Sequence, residues 1–430
     1  MTVPTLSRRR LLGGLAALGL AATLPACSPG AATSAEGPVR FTFWGPDFYQ
    51  QLTRQMVDGF TKAHPDIPVS TEPAEWSGYW DRLATQVAAD DEPDVINMDG
   101  KYLSEYAGRG ALADLEKLPG LDLSGIAASD LDAGRVDGVL HAVSTGQNAW
   151  VIVANPDVFA KAGVTLPDDT SWTWADFSRI ATEISASGVA TGFSGGGSYA
   201  DLTIFLRQRG EDLWKDDGMG SSPTALTAWY QLYLDLQKSK ATLSASAAVE
   251  DGAGSLEQQA FPTGKSAMSW AWTNQLASIR EAAGNEKITM LRPPSVDGTA
   301  AGNGLFGKAT MFWSVAARSA KQDRAATLVD YLLNDPGANK IQLVNRGVPS
   351  NPAALAAMGG GLTATDQEVV AFMKAVLTEI SGTPAVQPMG TSDSQNSFTR
   401  FLTEVRFERM TPAAAAEATI KEVDAMVQTS

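Results

Sequence analysis

Between Val39 and Gly100 strand and helix signals alternate in a fixed order, which restricts the chain to a layered α/β fold. Val39-Arg40-Phe41-Thr42-Phe43-Trp44 is rich in β-formers and stops at Gly45-Pro46. Leu52, Met56, Phe60 and Ala63 then recur at helical spacing, ending before His64-Pro65. Val69 begins a second extended segment. Trp80, Leu83 and Val87 predict a helix reaching Asp91-Glu92-Pro93, and Val95-Ile96-Asn97-Met98 reads as a short buried strand ending at Asp99-Gly100. This alternation implies a parallel sheet with helices on its faces. In such sheets ligands bind beyond the carboxyl ends of the strands, where Trp44, Asp47 and Asp99 fall. Either aspartate has a second role open to it, as a helix cap.

Further on, two extended segments, Leu140 to Ser144 and Trp150 to Val153, are split by Thr145-Gly146-Gln147-Asn148. Asn155 is placed to cap a short helix and Thr173 a longer one. The stretch from Gly192 to Ser198 reads as a loop, because its glycines do not form a phosphate-binding fingerprint. Leu202 to Leu236 reads as helical. An extended run carrying Trp270 and Trp272 follows, then a helix from Arg324 to Leu333, a break at Gly347-Val348-Pro349, and an Ala-rich helical C-terminal third.

The N-terminus reads as a targeting segment. Ser7-Arg8-Arg9-Arg10 precedes an apolar run, and Leu24-Pro25-Ala26-Cys27 closes it. The run from Leu11 to Leu24 is shorter than the ~20 residues of a spanning helix. The consecutive arginines resemble a twin-arginine (Tat) export signal, and the Leu-x-Ala-Cys ending resembles the lipobox of bacterial lipoproteins. On that reading residues 1–26 are a signal peptide, Cys27 is lipidated (palmitate-type acylation), and residues 27–38, rich in Ser, Ala, Gly and Pro, form a flexible tether to the outer face of the cell membrane. Cys27 is the single cysteine, so an internal disulfide, an Fe–S site and a CxxC redox pair are excluded. Removing 26 of the 430 residues leaves 404, enough for two domains. The net charge of −15 and the absence of a basic patch argue against a nucleic-acid partner.

Several segments together resemble the extracellular solute-binding proteins of ABC importers, in the carbohydrate-binding group that includes maltodextrin-binding proteins. They are Phe60 to Pro65, Glu92 to Ile96, Glu105 to Leu112, Asn155 to Gly163, Trp172 to Phe177, Phe261 to Met268, Ala325 to Leu333 and Gly347 to Pro349. The resemblance implies a two-lobe, type II periplasmic-binding-protein-like α/β fold with a hinge and an interlobe cleft. Lobe 1 would comprise 39–147 plus 311–350, and lobe 2 would comprise 148–310 plus 351–430. It further implies a mono- or oligosaccharide ligand, ABC permease subunits with their ATPase as partners, a monomeric state, no cofactor and no catalysis.

A sugar offers an apolar face for an aromatic ring and hydroxyls for short polar side chains. Trp270 and Trp272 match the family's sugar-stacking loop, and Gln147 and Asn148 its hinge-proximal polar ligands. Trp44, Asp47, Trp76, Asp99, Asn303 and Arg346 complete the expected ligand-binding set, with helix capping the alternative for Asp47 and Asp99 and an ordinary surface position the alternative for Trp76 and Arg346. Pro384 to Asp393 carries no aromatic, which points to a small sugar. The rival class is a secreted carbohydrate-active enzyme, which would need two carboxyls across a cleft. A sensor or a binder of a non-sugar solute would share the fold. His64 and His141 are the only histidines and lack metal-site spacing.

Overall fold

The computed structural model describes residues 35–380 and 382–428. The signal peptide and Cys27 lie outside the described residues, as does most of the tether. The first sheet is built by β1 (Val39–Trp44), α1 (Asp47–Ala63), β2 (Val69–Ala74), α2 (Trp76–Ala88), β3 (Val95–Met98) and α3 (Gly100–Gly108). β1 pairs in parallel with β2, Val39 opposite Val69, and with β3, Phe41 opposite Val95. The helix predicted from Leu52, Met56 and Phe60 is α1, and His64 ends it as expected. After α4 (Ala128–Asp132) come the small hairpin β4 (Arg135–Val136) and β5 (Val139–Leu140), then β6 (Val143–Ser144) and β7 (Gln147–Asn148).

The second sheet starts with β8 (Trp150–Ala154). It continues through α5 (Pro156–Ala162), α6 (Trp174–Ala186), β9 (Thr191–Ser194), α7 (Tyr199–Arg207), the hairpin β10 (Trp214–Lys215) and β11 (Gly218–Met219), α8 (Pro223–Lys238) and α9 (Ala245–Ala253). β12 (Ser266–Trp272), α10 (Leu276–Ala283) and β13 (Thr289–Leu291) complete it, in the order β13-β8-β12-β9. Asn155 caps α5, and Thr173 caps α6 through a capping box with Asp176. Two local expectations need correction. The stretch read as helical from Leu202 to Leu236 is two helices separated by the β10–β11 hairpin, whose two-residue turn is Asp216-Asp217, with Gly218 opening β11 opposite Lys215. The stretch read as a loop from Gly192 begins as strand β9, and only Gly195, Gly196 and Gly197 form the turn, at φ of +85°, +89° and +92°.

The chain then returns to the first sheet. β14 (Lys308–Ala309) pairs with β7, and β15 (Phe312–Val315) slots antiparallel between β3 and β6, giving the order β2-β1-β3-β15-β6. Alternation along β15 sends Trp313 into the core with Phe41, Phe43 and Val95, and Phe312 into the opposite core with Trp44, Ile96 and Met98. α11 (Gln322–Asn334), α12 (Pro336–Gln342) and α13 (Pro352–Met358) follow. α14 (Ala364–Leu377), α15 (Ser394–Arg406) and α16 (Pro412–Gln428) end the described chain. Between the sheets three stretches of backbone lie side by side. Lys308 opposes Asn148, and Gln147 and Val348 exchange N–H···O bonds of 2.7 and 2.9 Å.

Gly192 shows how closely a helix lies on the second sheet. A Cβ there would fall 2.1 Å from the Ala181 carbonyl oxygen of α6. Gly192→Ala should destabilise the chain by at least ~1–3 kcal/mol, and thermal unfolding will report a lowered midpoint with unchanged ligand selectivity.

Candidate ligand-binding cleft

A cavity of about 360 Å³ opens between the two sheets. From the first sheet it takes Trp76 at the start of α2, Asp99 at the end of β3, and Gly100, Lys101 and Leu103 of α3. From the second come Tyr199 and Thr203 of α7, Leu213, and Trp214 of β10. Phe306, Gly307 and Lys308 lead into the shared strands, and the segment from Thr383 to Gln387 with Ser392, Ser394 and Gln395 closes one side. A further cavity of similar volume, near Arg207, Glu211 and Asp297, borders only the second sheet's elements.

The wall has an aromatic backing. Trp76 is 42% exposed, a large value for tryptophan, and its ring meets Trp44 edge-on at 5.3 Å and Trp80 at 5.5 Å. Behind it Trp80 stacks on Tyr102 with centroids 3.9 Å apart. This cluster holds an apolar ring at the cavity rim and prevents it from folding away. Asp99 caps α3, its Oδ1 accepting from the Lys101 N–H at 2.9 Å, so that the carboxylate is fixed at the cavity edge.

Lys308 forms the electrostatic centre. Its Nζ donates to the Ala309 carbonyl at 3.0 Å and lies 5.6 Å from the Trp272 ring centroid. Burial opposes its charge, but the Tyr199 hydroxyl and Asp99 outweigh burial and hold its pKa above the ordinary lysine value. Burial pushes the Tyr199 hydroxyl up as well, so it stays a neutral donor. The Tyr199 backbone is itself anchored, its N–H donating to Gln395 Oε1 at 2.7 Å.

Of the residues expected from the sequence to bind ligand, Trp76 and Asp99 line this cavity. Trp44 lies directly behind Trp76, 8% exposed. Asp47 is exposed in the first turn of α1, where Pro46, and not Asp47, is the N-cap. Gln147 and Asn148 are buried in the shared strands. Gln147 Nε2 donates to Asp130 at 3.0 Å, and Asn148 donates to Thr310 at 2.6 Å while accepting from Thr273 at 3.1 Å. Trp270 and Trp272 share one face of β12, two residues apart. Trp150 stacks on Trp270 at 6.0 Å and tilts against Trp272 at 4.8 Å. Trp270 is 7% exposed, whereas Trp272 reaches Phe306 and Lys308 and so supports the cavity wall from behind. Asn303 is buried, bonded to Glu379 and to the Leu305 N–H, which makes it a loop organiser.

Arg346, expected as a hydroxyl or carboxylate partner, is fully buried away from the cavity. Its guanidinium lies 5.4 Å from the Tyr49 ring and 5.2 Å from Trp313, donates to Thr53 at 2.8 Å and contacts the Met311 sulfur. Burial lowers its pKa to about 10. Tyr199, Trp214, Lys308 and Gln395 were not singled out from the sequence. They converge from separate elements, and no local spacing marks them.

The order of elements, the interrupted first sheet and the cavity at the strand ends describe a binding protein, and residues 46–339 match the family described as bacterial extracellular solute-binding protein. The chain belongs to that family. Among relatives of this solute-binding protein, an uncharacterized lipoprotein of Streptomyces antibioticus is 31% identical over 42% of this chain, a match spanning 40% of that relative's length. A lactose-binding protein of Rhizobium radiobacter is 24% identical over 75% of each chain. The diacetylchitobiose binding protein DasA of Streptomyces coelicolor is 24% identical over 83% of this chain and 85% of its own. A periplasmic solute binding protein from Pectobacterium atrosepticum shares the two-lobe fold at TM-score 0.80 and 20% identity, covering 92% of this chain and 99% of that one. Among the described residues of this solute-binding protein no helix is long and apolar enough to cross a membrane.

Proposed function

We propose that this solute-binding protein captures a small sugar in the cleft between its sheets and delivers it to an ABC importer, held at the outer face of the cell membrane by a lipid on Cys27. The observation that carries this reading is the cavity itself, with Trp76 offered as an apolar platform on one side and short polar groups around it. Its volume is at the lower end of the ~300–1,000 Å³ of small-molecule sites. The aromatic-free segment from Thr383 to Gln387 narrows it further, which suits one or two rings. The names of two relatives, binders of lactose and of diacetylchitobiose, agree with a two-ring sugar, and a lipoprotein relative agrees with the lipid anchor.

Lobe 1 then comprises 39–147 plus 311–350 and lobe 2 comprises 148–310 plus 351–430, with Gln147, Ala309 and Val348 at the hinge. Ligand touching both lobes favours the closed form by its differential affinity. The wall argues against catalysis. Asp99 is the one carboxylate lining the cavity among the described residues, whereas glycoside hydrolysis uses two.

Thermal unfolding against a panel of mono- and disaccharides tests the proposal. A sugar at 100 times its Kd should stabilise by ~2.7 kcal/mol. Trp76→Ala should weaken that sugar roughly 10–100-fold, as expected for a central aromatic anchor, with a lowering of the free protein's unfolding midpoint from the lost contacts with Trp44 and Trp80. No response to any sugar would refute the sugar reading, and release of reducing sugar from an oligosaccharide would favour the enzyme.

A further inference from the structure

The charges lining the cavity do not follow the rest of the molecule. The chain carries a net −15, yet the charged side chains on the cavity wall are Lys101, Lys308 and Asp99. Several other shielded cations are matched by carboxylates, Lys321 by Asp94 at 2.8 Å, Arg280 by Glu368 at 2.6 Å, and Arg292 by Asp169 and Glu379 at 3.1 and 2.7 Å, whereas Arg346, away from the cavity, is held by Thr53 and two aromatic rings. Lys308 has the Ala309 carbonyl and the Tyr199 hydroxyl, and no carboxylate within ion-pair distance among the described residues. Asp99 supports the Lys308 charge only from beyond ion-pair distance, so the half-buried ammonium on the cavity wall keeps room for a direct anionic acceptor. Lys308 also belongs to β14, where the lobes join, so its position holds whichever way they swing.

We infer that the cleft is built for a small saccharide bearing one oxyanion group, received by Lys308 with Lys101 beside it. The inference rests on the cleft being the sugar site and narrows the class of sugar. A carboxylate or phosphate there adds a counter-charge in direct contact and accepts from Lys308 and Tyr199. Asp99, on the same wall, accepts from sugar hydroxyls and repels a second negative charge, which limits the ligand to one acidic group. Trp76 remains the platform for the ring.

Calorimetric titration of the full chain with matched pairs tests this: galactose and galacturonate, lactose and lactobionate, glucose and glucose 1-phosphate. The acidic member of at least one pair should bind about tenfold tighter or more than its neutral parent, in keeping with a charge-assisted hydrogen bond, and added salt should erode the difference. The pair that responds separates carboxylate from phosphate. Lys308→Met should abolish the preference and Lys308→Arg should retain it. Should Lys308→Met fail to fold, Lys101→Met, on α3 and outside the hinge strands, must reduce the preference. Equal or tighter binding of every neutral member, or an acid preference that survives loss of both charges, overturns the inference and leaves the sugar site standing. Binding of neither kind of sugar overturns the sugar reading itself.

Discussion

Asp201→Ala will unfold roughly 6–20 °C below the parent chain, the shift expected in a lobe of this size for a loss of ~3–5 kcal/mol when several buried donors lose their common acceptor. Asp201 is 2% exposed. Its Oδ1 accepts from the Ser198 N–H and hydroxyl at 2.7 and 2.6 Å, and its Oδ2 accepts from the Gly197 N–H, Trp229 Nε1 and the Tyr233 hydroxyl at 3.2, 3.2 and 2.7 Å. Truncation leaves these buried donors without an acceptor. Burial raises the Asp201 pKa, while the hydrogen bonds from Ser198, Tyr233 and Gly197 pull it down less strongly. Its contribution to stability is therefore fully present below the ordinary carboxylate range and falls as pH rises through the elevated folded value. The gap between parent and Asp201→Ala should narrow over that interval in calorimetric scans. A gap that widens with pH would contradict the assignment. Because Asp201 sits in the first turn of α7, the same variant should also weaken ligand binding through Tyr199 and Thr203.

Asp94→Ala carries a comparable penalty in the other lobe. Asp94 is 3% exposed and accepts from the Arg40 N–H at 2.8 Å, the Ser319 hydroxyl at 2.6 Å and Lys321 Nζ at 2.8 Å. It thus ties β1 to the chain returning after β15. Lys321 is 8% exposed, and without Asp94 it keeps only the Pro38 carbonyl at 2.8 Å. Removing one partner of a buried pair costs ~3–5 kcal/mol. Asp94→Ala with Lys321→Met should recover much of that loss in denaturant titrations, since the stranded charge goes with its partner. If the double variant is as unstable as the single, the penalty lies in the Arg40 and Ser319 bonds instead.

Elements governed by neighbouring residues were legible before the structure. β1, α1 and β3 follow from Phe41, Phe60 and Ile96 in their local patterns, and the caps Asn155 and Thr173 from short polar side chains ahead of apolar runs. The β10–β11 hairpin was obscured because strong helical signals flank Trp214 to Met219 and its turn, Asp216-Asp217, is not an Asn-Gly or Asp-Gly pair of the kind that marks a hairpin. The cavity was less legible for a different reason. Trp270 and Trp76 look alike in sequence, but Trp270 is stacked on Trp150 from a partner strand, and nothing near Trp76 covers it to the same degree. Lys308 reads as an ordinary surface lysine until pairing of β14 with β7 draws it toward Tyr199 and Asp99.

The position of β15 has a consequence for how the protein is made. β3 and β6 have no hydrogen-bonded neighbour between them until Phe312 to Val315 arrives, long after Met98 has left the ribosome. At ~5–20 residues per second the interval from Met98 to Phe312 lasts roughly 10–40 s. Throughout it the nascent chain presents an apolar strand with an open edge, a template for wrong pairing. Early chaperone capture would therefore matter more to the yield of this protein than its final stability, and a pause in translation between Met98 and Phe312 would lower that yield further.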